Sequence, residues 1–145
     1  MNKKSLHGLY AITPDDAPEA ELLTSVAAAL RGGAAILQYR DKRRPPARRG
    51  EIARALRQLC REFGALFIVN DDLELACSVA ADGVHLGGSD GDLAAAKRAV
   101  GPGRILGASC YADFDLAVAA AQAGADYVAF GAVFPSPTKP DAVRA

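Results

Sequence analysis

Short apolar runs alternate with longer stretches of helical periodicity along the whole chain. The runs Gly8 to Thr13, Ala35 to Arg40, Leu66 to Asp71, Gly83 to Gly87, Ile105 to Cys110 and Tyr127 to Phe134 are bounded by Gly, Pro or Asp. They read as buried parallel strands, because a strand covered on both faces is apolar almost throughout. Leu22, Leu23, Val26, Ala27 and Leu30 form a stripe at helical spacing, and Ile52, Leu56, Leu59 and Phe63 form a second. The first helix is predicted to end at Gly32-Gly33 and the second at Gly64. Asp113 reads as the N-cap of a helix that ends at Gly124. Ala81-Asp82-Gly83-Val84-His85-Leu86-Gly87 is echoed by Ala125-Asp126-Tyr127-Val128-Ala129-Phe130-Gly131, as repeated βα units would produce.

Two architectures accommodate such alternation. An open doubly wound sheet gathers ligands at one switch point, so one or two polar strand ends suffice. Here five strands end in polar groups: Gln38-Tyr39-Arg40-Asp41-Lys42, Asn70-Asp71-Asp72, Gly87-Gly88-Ser89-Asp90, Ala108-Ser109-Cys110 and Pro135-Ser136-Pro137-Thr138-Lys139. That distribution favours an α/β chain of the (β/α)8 TIM barrel type, whose active site is built from successive strand ends. A barrel of eight units takes about 200 to 250 residues. The 145 residues here hold six, with Pro140 to Ala145 reading as the opening of a sixth helix. The expectation is a single incomplete TIM-barrel domain over residues 1–145, truncated to about six βα units, with open edges at its first and sixth strands that invite self-association.

Composition narrows the functional class. Seventeen basic and seventeen acidic residues give zero net charge, which argues against a nucleic-acid-binding protein. The arginines nevertheless crowd one stretch, Arg40 to Arg61, read mainly as a solvated helix face. Three widely spaced cysteines indicate neither a disulfide framework nor a CxxC metal site, and two N-terminal lysines precede no apolar segment. A cytoplasmic location, with no membrane partner, is the expectation.

The strand ends can be read chemically. Alternation sends Gln38, Arg40 and Lys42 to one face and Tyr39 and Asp41 to the other. An amide, a guanidinium fork and an ammonium on one face suit a pyrophosphate, and a pair of surface cations is the plainer alternative. Asn70-Asp71-Asp72 follows a wholly apolar strand. Carboxylates so placed are either helix caps or ligands for a hard cation such as Mg²⁺, which takes few protein carboxylates. Asp71 is read as ligand and Asp72 as N-cap. Asp90 is a helix cap taken alone and a second ligand if a barrel brings it beside Asp71. Ser109, Ser136, Thr138 and Lys139 offer hydroxyls and a cation for phosphate or a heterocycle, although two prolines in Pro135-Ser136-Pro137 also make a plain rigid turn. His85 lies mid-strand and reads as a hydrogen-bonded interior histidine. No Ser-His-Asp or Cys-His arrangement can be proposed.

Together the segments QYRDK (Gln38 to Lys42), FIVNDD (Phe67 to Asp72), GVHLGGSD (Gly83 to Asp90), GASCY (Gly107 to Tyr111) and FGAVFPSPTKP (Phe130 to Pro140) resemble the thiamine-phosphate synthase family, in order and spacing. The resemblance implies a (β/α)8 transferase that joins hydroxymethylpyrimidine pyrophosphate to a thiazole phosphate, releasing pyrophosphate. It implies that Gln38, Arg40, Lys42, Asn70, Ser109 and Lys139 bind the pyrimidine pyrophosphate, and Tyr39 and Asp41 of the same motif are taken as substrate-binding with them. It further implies Asp71 and Asp90 as Mg²⁺ ligands and Ser136, Pro137 and Thr138 as the thiazole-phosphate loop. Leaving-group stabilisation would fall to Arg40, Lys42 and Lys139, in a dissociative substitution that needs no enzyme nucleophile. Family members carry two further βα units. Two other readings stay open: a thiazole tautomerase-like barrel enzyme, and a non-catalytic fragment that binds pyrimidine pyrophosphate.

Overall fold

The computed structural model describes residues 5–87, 91–135 and 137. Strands and helices alternate as β1 (Leu9–Ile12), α1 (Glu19–Arg31), β2 (Ala34–Tyr39), α2 (Pro46–Glu62), β3 (Leu66–Asn70), α3 (Leu73–Ser78), β4 (Gly83–Gly87), α4 (Leu93–Val100), β5 (Ile105–Tyr111), α5 (Phe114–Gln122) and β6 (Tyr127–Phe130). The chain divides into two compact units between Val84 and His85, within β4.

In the first unit, hydrogen-bonded neighbours follow chain order and run parallel, with Ile12 beside Gln38 and Gln38 beside Ile68. Leu37, Phe67, Ile68 and Val69 are buried, together with Leu22, Val26 and Leu30 of α1 and Ile52, Ala53, Leu56 and Cys60 of α2. Each large aliphatic side chain buried this way contributes about 1.5–3 kcal/mol relative to exposure. Both expected stripes are therefore present, with one correction at the end of the second. Phe63 is 43% exposed. It is the C-cap, one residue past the last helical residue Glu62, and Cys60 is the last buried residue of the helix. Pro46 opens α2 at its first turn, where its missing N–H costs no helical bond.

In the second unit, β5 and β6 are parallel, with Ser109 beside Ala129. The last strand is shorter than its sequence suggested. It ends at Phe130, and Val133 and Phe134 are exposed, because Gly131 interrupts the β-branched and aromatic run that favours a pleated strand.

Aspartates start most of the later helices. Asp72, Asp92 and Asp113 each accept a hydrogen bond from the N–H three residues on, capping α3, α4 and α5. Such a cap contributes about 1 kcal/mol. The internal sequence echo has a structural counterpart. Asp82 accepts from the Phe67 N–H at 2.9 Å and its own N–H donates to the Phe67 carbonyl. Asp126 repeats the arrangement on Leu106 at the start of β5. Each aspartate pins the beginning of the preceding strand, and the Lys97 ammonium adds an ion pair to Asp126.

Candidate active site

β2 ends at Tyr39, so Arg40, Asp41 and Lys42 belong to the segment that follows it. Gln38 donates from Nε2 to the Tyr10 hydroxyl at 2.8 Å. Arg40, just past the strand, pairs with Asp15 at 3.0 Å. The Lys42 ammonium stands 3.5 Å from Asp71 Oδ2, with both side chains about half exposed. Tyr39 and Asp41 turn inward, with the Asp41 carboxylate 1% exposed. Asp41 accepts from the N–H groups of Arg43 and Arg44, from the Arg44 guanidinium and from the Tyr39 hydroxyl. Burial alone would raise its pKa, but these hydrogen bonds to the charged form outweigh it and hold the carboxyl below the usual range. Burial and the neighbouring carboxylate push the Tyr39 hydroxyl well above its ordinary value. This pair shapes the loop from within.

Asp71 and Asp72 divide their work. Asp72 uses one oxygen to cap α3, and its other oxygen is 3.2 Å from Arg49 Nη1 of α2. Asp71 sits at φ 59°, the left-handed region that aspartate tolerates better than most side chains. Its carboxylate points outward, half exposed, at the end of β3. A cleft of about 390 Å³ forms here, lined by Asp41, Lys42, Arg49, Asn70, Asp71 and Asp72.

The second unit holds a separate polar cluster. His85 is buried, with Nδ1 2.8 Å from the Tyr127 hydroxyl and Nε2 2.7 Å from Ser109 Oγ. It is thus the hydrogen-bonded interior histidine the sequence suggested. The Tyr127 ring lies across Gly107, where any β-carbon would meet it.

Asp90, Ser136, Thr138 and Lys139 lie outside the described residues, as do Gly88 and Ser89; Pro137 is described and exposed. The capping role considered for Asp90 is filled at α4 by Asp92. The arginine-rich stretch is mainly solvated, as expected, with Arg43, Arg48, Arg54 and Arg61 exposed, while Arg40, Arg44 and Arg49 are partly buried in ion pairs. Thr13, Asp15, Arg49 and Tyr127 were missed. Thr13-Pro14-Asp15 is itself a polar strand end, so the signal was there for the first two.

The family model for thiamine monophosphate synthase matches residues 9–145. The chain belongs to the thiamine monophosphate synthase family. Its relatives include the thiamine-phosphate synthase of Aromatoleum aromaticum, 62% identical over the whole of this chain and 70% of that protein. That of Chromobacterium violaceum is 59% identical over 97% of this chain and 68% of its own length. Among solved structures, a thiamine phosphate pyrophosphorylase from Pyrococcus furiosus superposes with a TM-score of 0.81 at 43% identity, over 94% of this chain and 63% of that one. The chain thus spans about two-thirds of the length of these family members, and the α/β fold with parallel strands is theirs. Among the described residues no helix is long and apolar enough to cross a membrane.

Proposed function

We propose that the end of β2 and the cleft beside it receive the pyrophosphate of hydroxymethylpyrimidine pyrophosphate, for coupling to thiazole phosphate with release of pyrophosphate. The observation that carries this reading is the pair of cations in the segment just after β2, Arg40 and Lys42, with Lys42 lining the cleft beside Asp71. Arg40 presents a planar fork and Lys42 a mobile point charge, the two complementary ways of meeting phosphate oxygens. Asn70 adds an amide at the cleft.

Asp71 fits a Mg²⁺ ion. It is exposed, held outward by the backbone, and already faces a cation in the Lys42 ammonium. Among the described residues no group of three or more His, Cys, Asp or Glu could hold a metal, so Asp71 and Asp90 would share the ion with substrate phosphate and water, as Mg²⁺ prefers. Bound there, the ion would offset charge on the departing pyrophosphate. The protein's own groups hold the substrate: Arg40, Lys42 and Lys139 stabilise the charge that develops on the leaving oxygens. Gln38 and Ser109 orient the pyrimidine, and Ser136, Pro137 and Thr138 take the thiazole phosphate. In the reaction the carbon–oxygen bond to pyrophosphate breaks and a carbon–nitrogen bond to the thiazole forms, and no side chain is needed as nucleophile. The synthase reading is favoured over the tautomerase-like one because the relatives carry the synthase name at 62% and 59% identity.

The test is titration with hydroxymethylpyrimidine pyrophosphate in the presence of Mg²⁺, followed by addition of thiazole phosphate and measurement of thiamine phosphate. Binding that Lys42→Ala weakens, and product formed in step with pyrophosphate, are expected. Absence of binding to the unmodified chain would overturn the reading.

A further inference from the structure

Arg40 is gripped at both its backbone and its side chain by the segment that follows β1. Thr13 Oγ1 accepts from the Arg40 N–H at 2.9 Å and donates to the Arg40 carbonyl at 3.0 Å. The Thr13 N–H donates to the Gln38 carbonyl at 3.0 Å, and Thr13 itself is buried. Two residues on, Asp15 Oδ2 accepts from Arg40 Nε at 3.1 Å and lies 3.0 Å from Nη2. A guanidinium has two usable edges, a side edge made of Nε and one terminal nitrogen and an end edge made of both terminal nitrogens. Asp15 occupies the side edge. The end edge carries no partner among the described residues.

The other oxygen of Asp15, Oδ1, is buried without a hydrogen-bond partner. A pair serving stability alone would satisfy both oxygens, since leaving a buried acceptor unmet costs free energy. Asp15 also cancels part of the positive charge that would draw an anion toward Arg40. What it adds is therefore orientation rather than attraction.

We propose that Asp15 is a positioning residue, which with Thr13 fixes the rotation of the Arg40 guanidinium so that its end edge meets the pyrophosphate oxygens. The proposal rests on the assignment of Arg40 to pyrophosphate. Its distinguishing feature is the sign of one effect. Removing a carboxylate beside an anion site should tighten anion binding if charge is all that matters. If orientation matters more, binding should weaken.

The experiment is a double-mutant cycle, titrating hydroxymethylpyrimidine pyrophosphate into the unmodified protein, Asp15→Asn, Arg40→Ala and the double variant. Asp15→Asn is expected to weaken binding about tenfold, within the range of couplings between residues in contact. In the Arg40→Ala background the same change should do nothing or tighten binding slightly. Equal or tighter binding by Asp15→Asn, or the same weakening with and without Arg40, would overturn the proposal. Unmodified affinity in Arg40→Ala is a different failure: it withdraws Arg40 from the pyrophosphate and takes this proposal with it. Asp15→Glu, which keeps the carboxylate, is expected to recover part of the loss. If neither Asp15 variant folds, as judged by thermal unfolding, the residue is structural and the proposal is overturned.

Discussion

The Tyr39 hydroxyl donates to Asp41 Oδ2 at 2.9 Å, joining two buried residues two positions apart where β2 ends and the cations Arg40 and Lys42 follow. Asp41 also fixes the turn through the N–H groups of Arg43 and Arg44. The first prediction concerns acid stability. The folded-state pKa of Asp41 is depressed, so its contribution is fully present above the unfolded carboxylate value of about 3.9 and is lost as pH falls through the lower folded value. Asp41→Asn should cost about 1–3 kcal/mol at neutral pH, the penalty for a disrupted buried charged hydrogen-bond group. The deficit should shrink in acid. Urea unfolding of both proteins across pH checks this, and a deficit constant from pH 7 down through that window would contradict it.

Arg40→Lys should behave as a disruptive change. The ammonium keeps the charge but cannot engage Asp15 along one edge while presenting the other to phosphate. A loss of about 1–3 kcal/mol in pyrimidine-pyrophosphate affinity is expected, the scale of a hydrogen bond to a charged group. Calorimetric titration reads it directly; equal affinity would place Arg40 outside the binding surface.

Asp71→Asn should leave the fold intact, because asparagine tolerates the same left-handed backbone at φ 59°. It should also remove most of the Mg²⁺ dependence of substrate binding, since an amide is a poorer ligand than a carboxylate for a hard cation. Binding isotherms with and without Mg²⁺, beside a thermal unfolding control, decide it. A variant that keeps the full metal dependence would exclude Asp71 as a ligand.

Gly107→Ala tests the second unit. The new methyl would lie 2.1 Å from Tyr127 Cζ, so the ring must leave its place beside His85. Overpacking of this kind costs about 1–3 kcal/mol. A lowered midpoint in chemical unfolding and a changed His85 imidazole signal in NMR are the expected results. Unchanged values for both would mean that the Tyr127 ring moves aside freely.

Much of the fold was legible in the sequence because it rests on local patterns. Short apolar runs placed the strands and period-3.6 apolar spacing both long helices, the caps at Asp72 and Asp113 followed from side chains that reach only three residues along, and β4 was found at its observed bounds. What needed the tertiary structure was every pairing between distant residues: Arg40 with Asp15, Lys42 with Asp71, Arg49 with Asp72, and His85 with Ser109 and Tyr127. Periodicity says which face of an element a residue occupies, and it carries no information on which residue of another element will stand opposite. That depends on strand register and on how each helix lies across its strands. The arginines of residues 40–61 show the difference plainly: composition suggested a mainly solvated face, which Arg48, Arg54 and Arg61 keep, while the ion pairs of Arg40, Arg44 and Arg49 with carboxylates up to 25 positions away came only with the fold.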